Sequence, residues 1–134
     1  MVEAEALGQA FAGSFHRQVF ETVPMVGAAR VAEVLGPVGD VRGFTKRLRD
    51  SSEVIAVRHG RAYVYPAFQL DAERGAVRPV VAEVNRRLRA TSDPWGALVW
   101  GTAEQPRWGN RRPMDHADDR RLVALVGAEA DDSF

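Results

Sequence analysis

The chain has 134 residues, enough for one domain or two very small ones, and 46% of them are hydrophobic, so a core can form without covalent or metal staples. There is no cysteine, which excludes disulfides, zinc–cysteine sites and thiol chemistry and fits a reducing compartment. Net charge is zero but uneven: residues 1–40 carry −3, 41–62 carry +4, 63–92 carry +2 and 93–134 carry −3, which concentrates basic charge mid-chain, as an anion-facing surface requires.

The N-terminus holds Glu3 and Glu5 in place of a basic patch, and no long apolar run follows. It reads as neither signal peptide nor membrane anchor, and a cytoplasmic protein is expected. Leu7, Phe11, Phe15 and Val19 recur every four residues and predict an amphipathic helix over about residues 3–21, packed on its own domain or paired with a second copy. After Pro24 and Gly27, a second helix is predicted from Ala28 to Leu35, with Val31, Val34 and Leu35 inward, stopped by Gly36-Pro37. Asp40 is a candidate N-cap for a third helix with Val41, Phe44 and Leu48 as its apolar stripe and a basic outer strip of Arg42, Lys46, Arg47 and Arg49. Two helices, a tight turn and a basic outer face predict a helix-turn-helix.

Val54 to Val57 and Ala62 to Tyr65 are β-prone runs separated by Arg58-His59-Gly60-Arg61, where Gly60 supplies the positive φ of a tight turn, so a small hairpin wing is expected. Pro66 ends the second strand, and the polar run from Asp71 to Gly75 marks a boundary between two halves. Pro79 suits the first turn of a helix with Val77, Val80, Val81, Val84 and Leu88 as its apolar positions. Ser92 or Asp93 caps the next, which starts at Pro94 and carries Trp95, Leu98, Val99 and Trp100. Residues 105–115 form an ordered loop; the last helix follows Asp118 and Asp119, buries Leu122, Val123, Leu125 and Val126, and stops at Gly127 before an acidic tail. The expected fold is mainly α: a helix over residues 1–26, a helix-turn-helix with a small β-hairpin wing over 27–71, and a small helical domain over 72–134.

His16, His59 and His116 lie far apart and none has metal-ligand spacing; phosphate-loop, dinucleotide and nucleophile-elbow motifs are absent. No catalytic residue, metal or cofactor is assigned, and a non-enzymatic protein is expected. Arg42, Lys46, Arg47, Arg49, Arg58 and Arg61 are the candidate DNA contacts, the plainer reading being a solvated helix face. Trp95 and Trp100 fit core packing, whereas Trp108, in a Pro/Gly/Arg loop, has the setting of an interface anchor or of a lid over its own domain.

The stretch from Tyr65 to Gly127 resembles the toxin-binding domain of Xre/MbcA/ParS-like antitoxins. The resemblance rests on YPAFQLD (Tyr65 to Asp71), DPWGALVW (Asp93 to Trp100), GNRRPMD (Gly109 to Asp115) and LVALV (Leu122 to Val126), in that order, with VAEVLG (Val31 to Gly36) similar to the first helix of the helix-turn-helix that these proteins often carry. It implies an antitoxin that covers the active-site cleft of a RES-domain toxin, which degrades NAD, and represses its own promoter. Under it, Trp108, Asn110, Arg111 and Arg112, with Asp131, Asp132 and Phe134 of the tail, are the candidate toxin contacts. The expected partners are that toxin and operator DNA, in a homodimer or a hetero-oligomer with the toxin, with no membrane. The competing expectation is a free-standing winged helix-turn-helix regulator whose C-terminal half only dimerises it.

Overall fold

The computed structural model describes residues 13–36 and 39–132. The chain is mainly helical, with two small antiparallel sheets. Helix α1 covers residues 13–22, with half-buried Phe15 and buried Val19 one turn apart on its inner face; Leu7 and Phe11 of the predicted stripe lie outside the described residues. Pro24 cannot continue a helix, and the chain enters a strand that periodicity did not reveal, β1 (Met25–Gly27).

Helix α2 (Ala28–Leu35) buries Val31 and Ala32 and closes at Gly36, whose φ of +71° lets its N–H reach the Ala32 carbonyl at 2.8 Å. Helix α3 (Val41–Asp50) begins after Asp40 as expected, although the Asp40 side chain makes no capping hydrogen bond. Its predicted stripe needs correction. Val41 is 38% exposed, and Thr45 is buried on the inner face beside half-buried Leu48. The Thr45 hydroxyl donates to the Val41 carbonyl at 2.9 Å, so burying it leaves no polar atom unpaired.

Strands β2 (Val57–His59) and β3 (Ala62–Pro66) form the predicted hairpin, turning at Gly60, whose φ is +66°, and Arg61. β3 pairs with β1 on its other edge, giving the order β1-β3-β2. The upstream part of the first β-prone run, Val54 to Ala56, is buried without joining the ladder. Gln69 takes the ladder's place: fully buried, it accepts from the Ile55 N–H at 2.6 Å and donates to the Ile55 carbonyl at 3.0 Å.

A short 3-10 turn (Ala67–Gln69) leads into a second hairpin, β4 (Leu70–Asp71) and β5 (Ala76–Val77), whose turn is the predicted polar run. Asp71 accepts from the N–H groups of Glu73 and Arg74. Val77, expected on a helix, pairs with Leu70 in this hairpin, because helix α4 (Pro79–Arg87) starts only at its proline. Helix α5 (Pro94–Thr102) is capped by Asp93, which accepts from the Gly96 N–H at 3.0 Å, with Pro94 in first position. Val99, predicted on its apolar side, is 45% exposed, while Leu98 and Trp100 are buried. Helix α6 (Arg121–Asp132) runs through Gly127, which therefore does not end it.

Alternation along the strands sends side chains to two sides of the three-stranded sheet. On one side Met25, Val57 and Val64 meet Val19, Val23, Ile55, Ala97 and Leu98, so α1 and α5 cover it. On the other, Val26, Tyr63 and Tyr65 meet Val31, Val34, Leu35 and Leu48 of α2 and α3. A third cluster joins Val84, Trp100, Leu122 and Val126 of α4, α5 and α6. Side chains from all three segments predicted from sequence meet in the first cluster. Buried polar groups also cross the expected boundary: Asn85 on α4 donates to the Glu53 carbonyl and to Gln69 Oε1, each at 3.0 Å. Thr91 receives the Ser52 hydroxyl and donates to the Arg49 carbonyl at the end of α3.

Candidate functional site

The helix period turns Arg42, Lys46 and Arg47 outward from α3, and the tight hairpin turn leaves Arg58 and Arg61 in solvent. Arg49, grouped with them from sequence, is only half-exposed and has a different setting. Its guanidinium donates to the Tyr65 hydroxyl at 3.0 Å and lies 4.1 Å from the centre of the Tyr63 ring. Arg58, directly across the ladder from Tyr63, places its guanidinium 5.0 Å from the same ring. Tyr63 is thus a platform on which one cation from α3 and one from the hairpin meet. The two halves of the predicted basic surface are brought together there.

Tyr65 is 1% exposed, so Arg49 also satisfies a hydroxyl that would otherwise be buried unpaired. Lys46 pairs with Asp50 at 2.8 Å, but both side chains are largely exposed, and such a pair contributes about 0–1 kcal/mol. Its ammonium can exchange that carboxylate for another anion at little cost. Arg42, Arg47, Arg58 and Arg61 carry no ion pair among the described residues. These four guanidinium groups are therefore held by no salt bridge among the described residues. Sequence reasoning missed Tyr63; the signal was its position two residues before Tyr65 on the same strand face, opposite an arginine.

The second candidate surface is the loop after α5. Buried Gln105 organises it: its N–H donates to the Arg111 carbonyl, its own carbonyl accepts from Trp108 and Asn110, each at 2.9 Å, and its side chain donates to the Trp100 carbonyl at 3.0 Å. Short 3-10 turns at Pro106–Trp108 and Pro113–His116 flank Gly109 and Asn110, whose φ values of +67° and +58° make a left-handed corner. Glycine and asparagine tolerate that region best. Asn110 and Arg111 stand exposed at the corner.

Trp108 turns back onto the third core cluster and is half-buried, with the guanidinium groups of Arg111 and Arg121 at 5.4 and 5.6 Å from its ring and His116 edge-on at 5.0 Å. It therefore packs over its own domain and keeps part of its surface exposed. Among the described residues its buried Nε1 has no hydrogen-bond partner. Arg112 forms a two-pronged pair with Asp115 at 2.9 and 3.2 Å. Asp131 and Asp132 fall within the last turn of α6, not in a tail beyond it, and Phe134 lies outside the described residues.

The aspartates before α6 divide their work. Asp118 pairs with Arg78 at 2.7 Å, tying the helix start to the β5–α4 junction. Asp119 accepts from the Arg121 side chain and from the Arg121 N–H, and these bonds hold its carboxyl down at about 2, while the carboxylate in turn raises the Arg121 guanidinium. The histidines sit against aromatic rings: His16 stacks on Trp95 at 3.6 Å, His59 lies 4.2 Å from Phe20, and His116 meets Trp108. Among the described residues no group of three His, Cys, Asp or Glu side chains is placed to hold a metal ion. No described helix is long and apolar enough to cross a membrane.

The chain matches no family model, no curated protein and no solved structure.

Proposed function

We propose that this chain is a non-enzymatic DNA-binding regulator in which α2 and α3 are the helices of a helix-turn-helix and β2–β3 is its wing. The observation that carries the reading is the Tyr63 platform, which joins the basic face of α3 to the basic hairpin through Arg49 and Arg58. The order of elements supports it: helix, strand, two helices, then a hairpin whose second strand lies between the first strand and its own partner. That is the order of a winged helix-turn-helix. Arg42, Lys46 and Arg47 then lie along the major groove and its phosphates, and Arg58 and Arg61 on the flanking backbone. The chemistry is neutralisation of phosphate charge with release of bound counterions, so affinity falls steeply with salt.

The decisive experiment is a titration of labelled duplexes by the purified chain at several salt concentrations. Binding whose logarithm falls linearly with log salt is expected, with the slope reduced by about 0.9 for each phosphate-contacting arginine replaced. Binding indifferent to salt, or unchanged in an Arg42→Ala/Arg47→Ala variant, overturns the reading.

A second reading is favoured by the exposed corner at Gly109 and Asn110 and by the resemblance of residues 65–127 to a toxin-binding domain. In it the chain is the antitoxin of a toxin–antitoxin pair in the cytoplasm, occluding a RES-domain, NAD-degrading toxin and repressing their shared operon, with Trp108, Asn110, Arg111, Arg112, Asp131, Asp132 and Phe134 as the candidate contacts. Co-purification with the product of the adjacent gene, and inhibition of its NAD-degrading activity, test this reading. The absence of a complex leaves the regulator alone.

A further inference from the structure

A cleft of about 240 Å³ lies where the end of α3, strand β3 and the turn between α4 and α5 meet. Its apolar lining includes Val54, Ala56 and Ala90, all of them buried. Arg49 and Tyr63 line it too, with the Arg49 guanidinium 4.1 Å from the centre of the Tyr63 ring. The segments around the cleft are tied to one another. The Thr91 hydroxyl, also in the lining, donates to the Arg49 carbonyl and accepts from Ser52, whose Oγ accepts in turn from the Thr91 N–H at 3.2 Å. Ser52 and Arg89, next to these contacts along the chain, hold φ values of +61° and +55°, which side chains other than glycine rarely adopt. Such backbone costs free energy, persists only where its surroundings hold it, and gathers at ligand sites.

Charge at this place is unbalanced. Arg49 is half-buried and forms no ion pair among the described residues. A guanidinium carries five N–H donors in a planar fork, and Arg49 gives one of them to the Tyr65 hydroxyl. A cation partly withdrawn from water is stabilised by an anion beside it, and the fork matches a carboxylate in two-pronged fashion. Asp50 also lines the cleft, its carboxylate paired with Lys46 at 2.8 Å, and negative charge there opposes a dianion such as phosphate more than a monoanion. We propose that the cleft is a binding site for a small monocarboxylate with a short apolar body, its carboxylate on the Arg49 guanidinium and its body against Val54, Ala56 and Ala90. A concave, largely apolar lining with a few polar groups is the general form of a small-molecule site. The site depends on neither functional reading above, and the duplex titration addresses those separately.

The test is an NMR titration of the full ¹⁵N-labelled chain, at constant ionic strength, with acetate, isobutyrate and benzoate, with benzamide as the neutral counterpart of benzoate, and with inorganic phosphate. Isobutyrate or benzoate is expected to shift the amide resonances of Ala56, Tyr63 and Thr91 saturably. Benzamide is expected to bind about tenfold more weakly than benzoate, for want of a charge-assisted hydrogen bond. Acetate, without the apolar body, and phosphate, with the wrong charge, are expected to bind more weakly than the better of the two larger carboxylates. Arg49→Lys, which keeps the charge and loses the fork, is expected to weaken that ligand about tenfold. Asp50→Asn, at an exposed position that leaves the fold intact, is expected to tighten it about two- to fivefold and serves as the readout if the Arg49 variant unfolds. Saturation by none of the three carboxylates overturns the site. Equal binding of benzamide and benzoate removes the charge of Arg49 from recognition, and equal binding of phosphate or acetate removes the apolar body; either result overturns the ligand class. Shifts confined to the exposed arginines of α3 and the hairpin, with the cleft resonances still, likewise overturn it.

Discussion

Arg47 and Arg49 look equivalent in the sequence, two residues apart on one basic helix, yet they have different physical roles. Arg47 ends in solvent, whereas Arg49 closes the hydrogen bond of a buried tyrosine and stacks on a second. Arg49→Ala is therefore expected to lower stability by roughly 1–3 kcal/mol in urea melts, the cost of an orphaned buried hydroxyl together with a lost cation–π contact. Arg47→Ala and Arg42→Ala are expected to stay within about 0.5 kcal/mol of the parent while weakening duplex binding and flattening its salt dependence. Equal destabilisation by Arg47→Ala and Arg49→Ala would contradict this division. Gln69 is a second position where one side chain settles the local structure. In Gln69→Leu the Ile55 N–H and carbonyl lose their partners inside the core, with an expected loss of roughly 2–4 kcal/mol. Neither role was legible in the sequence, because both depend on contacts between residues 14 to 16 positions apart.

At the scale of the element, the legible features were those written in local rules. The Asp93-Pro94 start of α5, the proline start of α4 and the Gly60 turn all follow from caps and allowed φ values. Asp93→Ala is expected to cost about 1 kcal/mol, measured by thermal melting. The illegible elements were short strands without a tight-turn glycine beside a β-prone run. β1 spans three residues and β4 and β5 two each, too few for an alternating pattern to be recognised, and they exist because a partner strand lies beside them. The start of α6 carries a pH dependence. Asp119 has its folded-state carboxyl lowered from the usual 3.8 to about 2, so its contribution is complete above about pH 4 and is lost as the pH falls towards 2. The Arg121 amide resonance should titrate across that window, and Asp119→Asn should abolish the titration.

At the scale of the whole molecule, residues from both sides of the expected boundary near residue 71 share one core. Ile55 and Val57 bury themselves against Ala97 and Leu98, and Asn85 reaches back to Glu53 and Gln69. A fragment ending at residue 71 therefore exposes the α5 side of its sheet, and it is expected to show a collapsed, poorly dispersed NMR spectrum. Leu98→Ala in the full chain should cost roughly 2–5 kcal/mol and melt the two halves together in one transition. Two separate transitions would show that the halves hold themselves. The mainly helical class and the hairpin were legible as a whole, whereas the sharing of one core was not, since apolar periodicity states that a face is buried and never against what. The basic residues were legible as a set, and the tyrosine that gathers two of them was not. The central strand β3 has a consequence for how such a chain is able to change over generations. Its alternate residues serve opposite clients, Tyr63 and Tyr65 on the side of α2 and α3 and Val64 on the side of α1 and α5. Gain or loss of a single codon there would exchange the two sets and strand both tyrosines on the wrong side. Length variation in descendants should accordingly collect at the turn between Asp71 and Ala76, and β3 should keep its frame even where its residues drift.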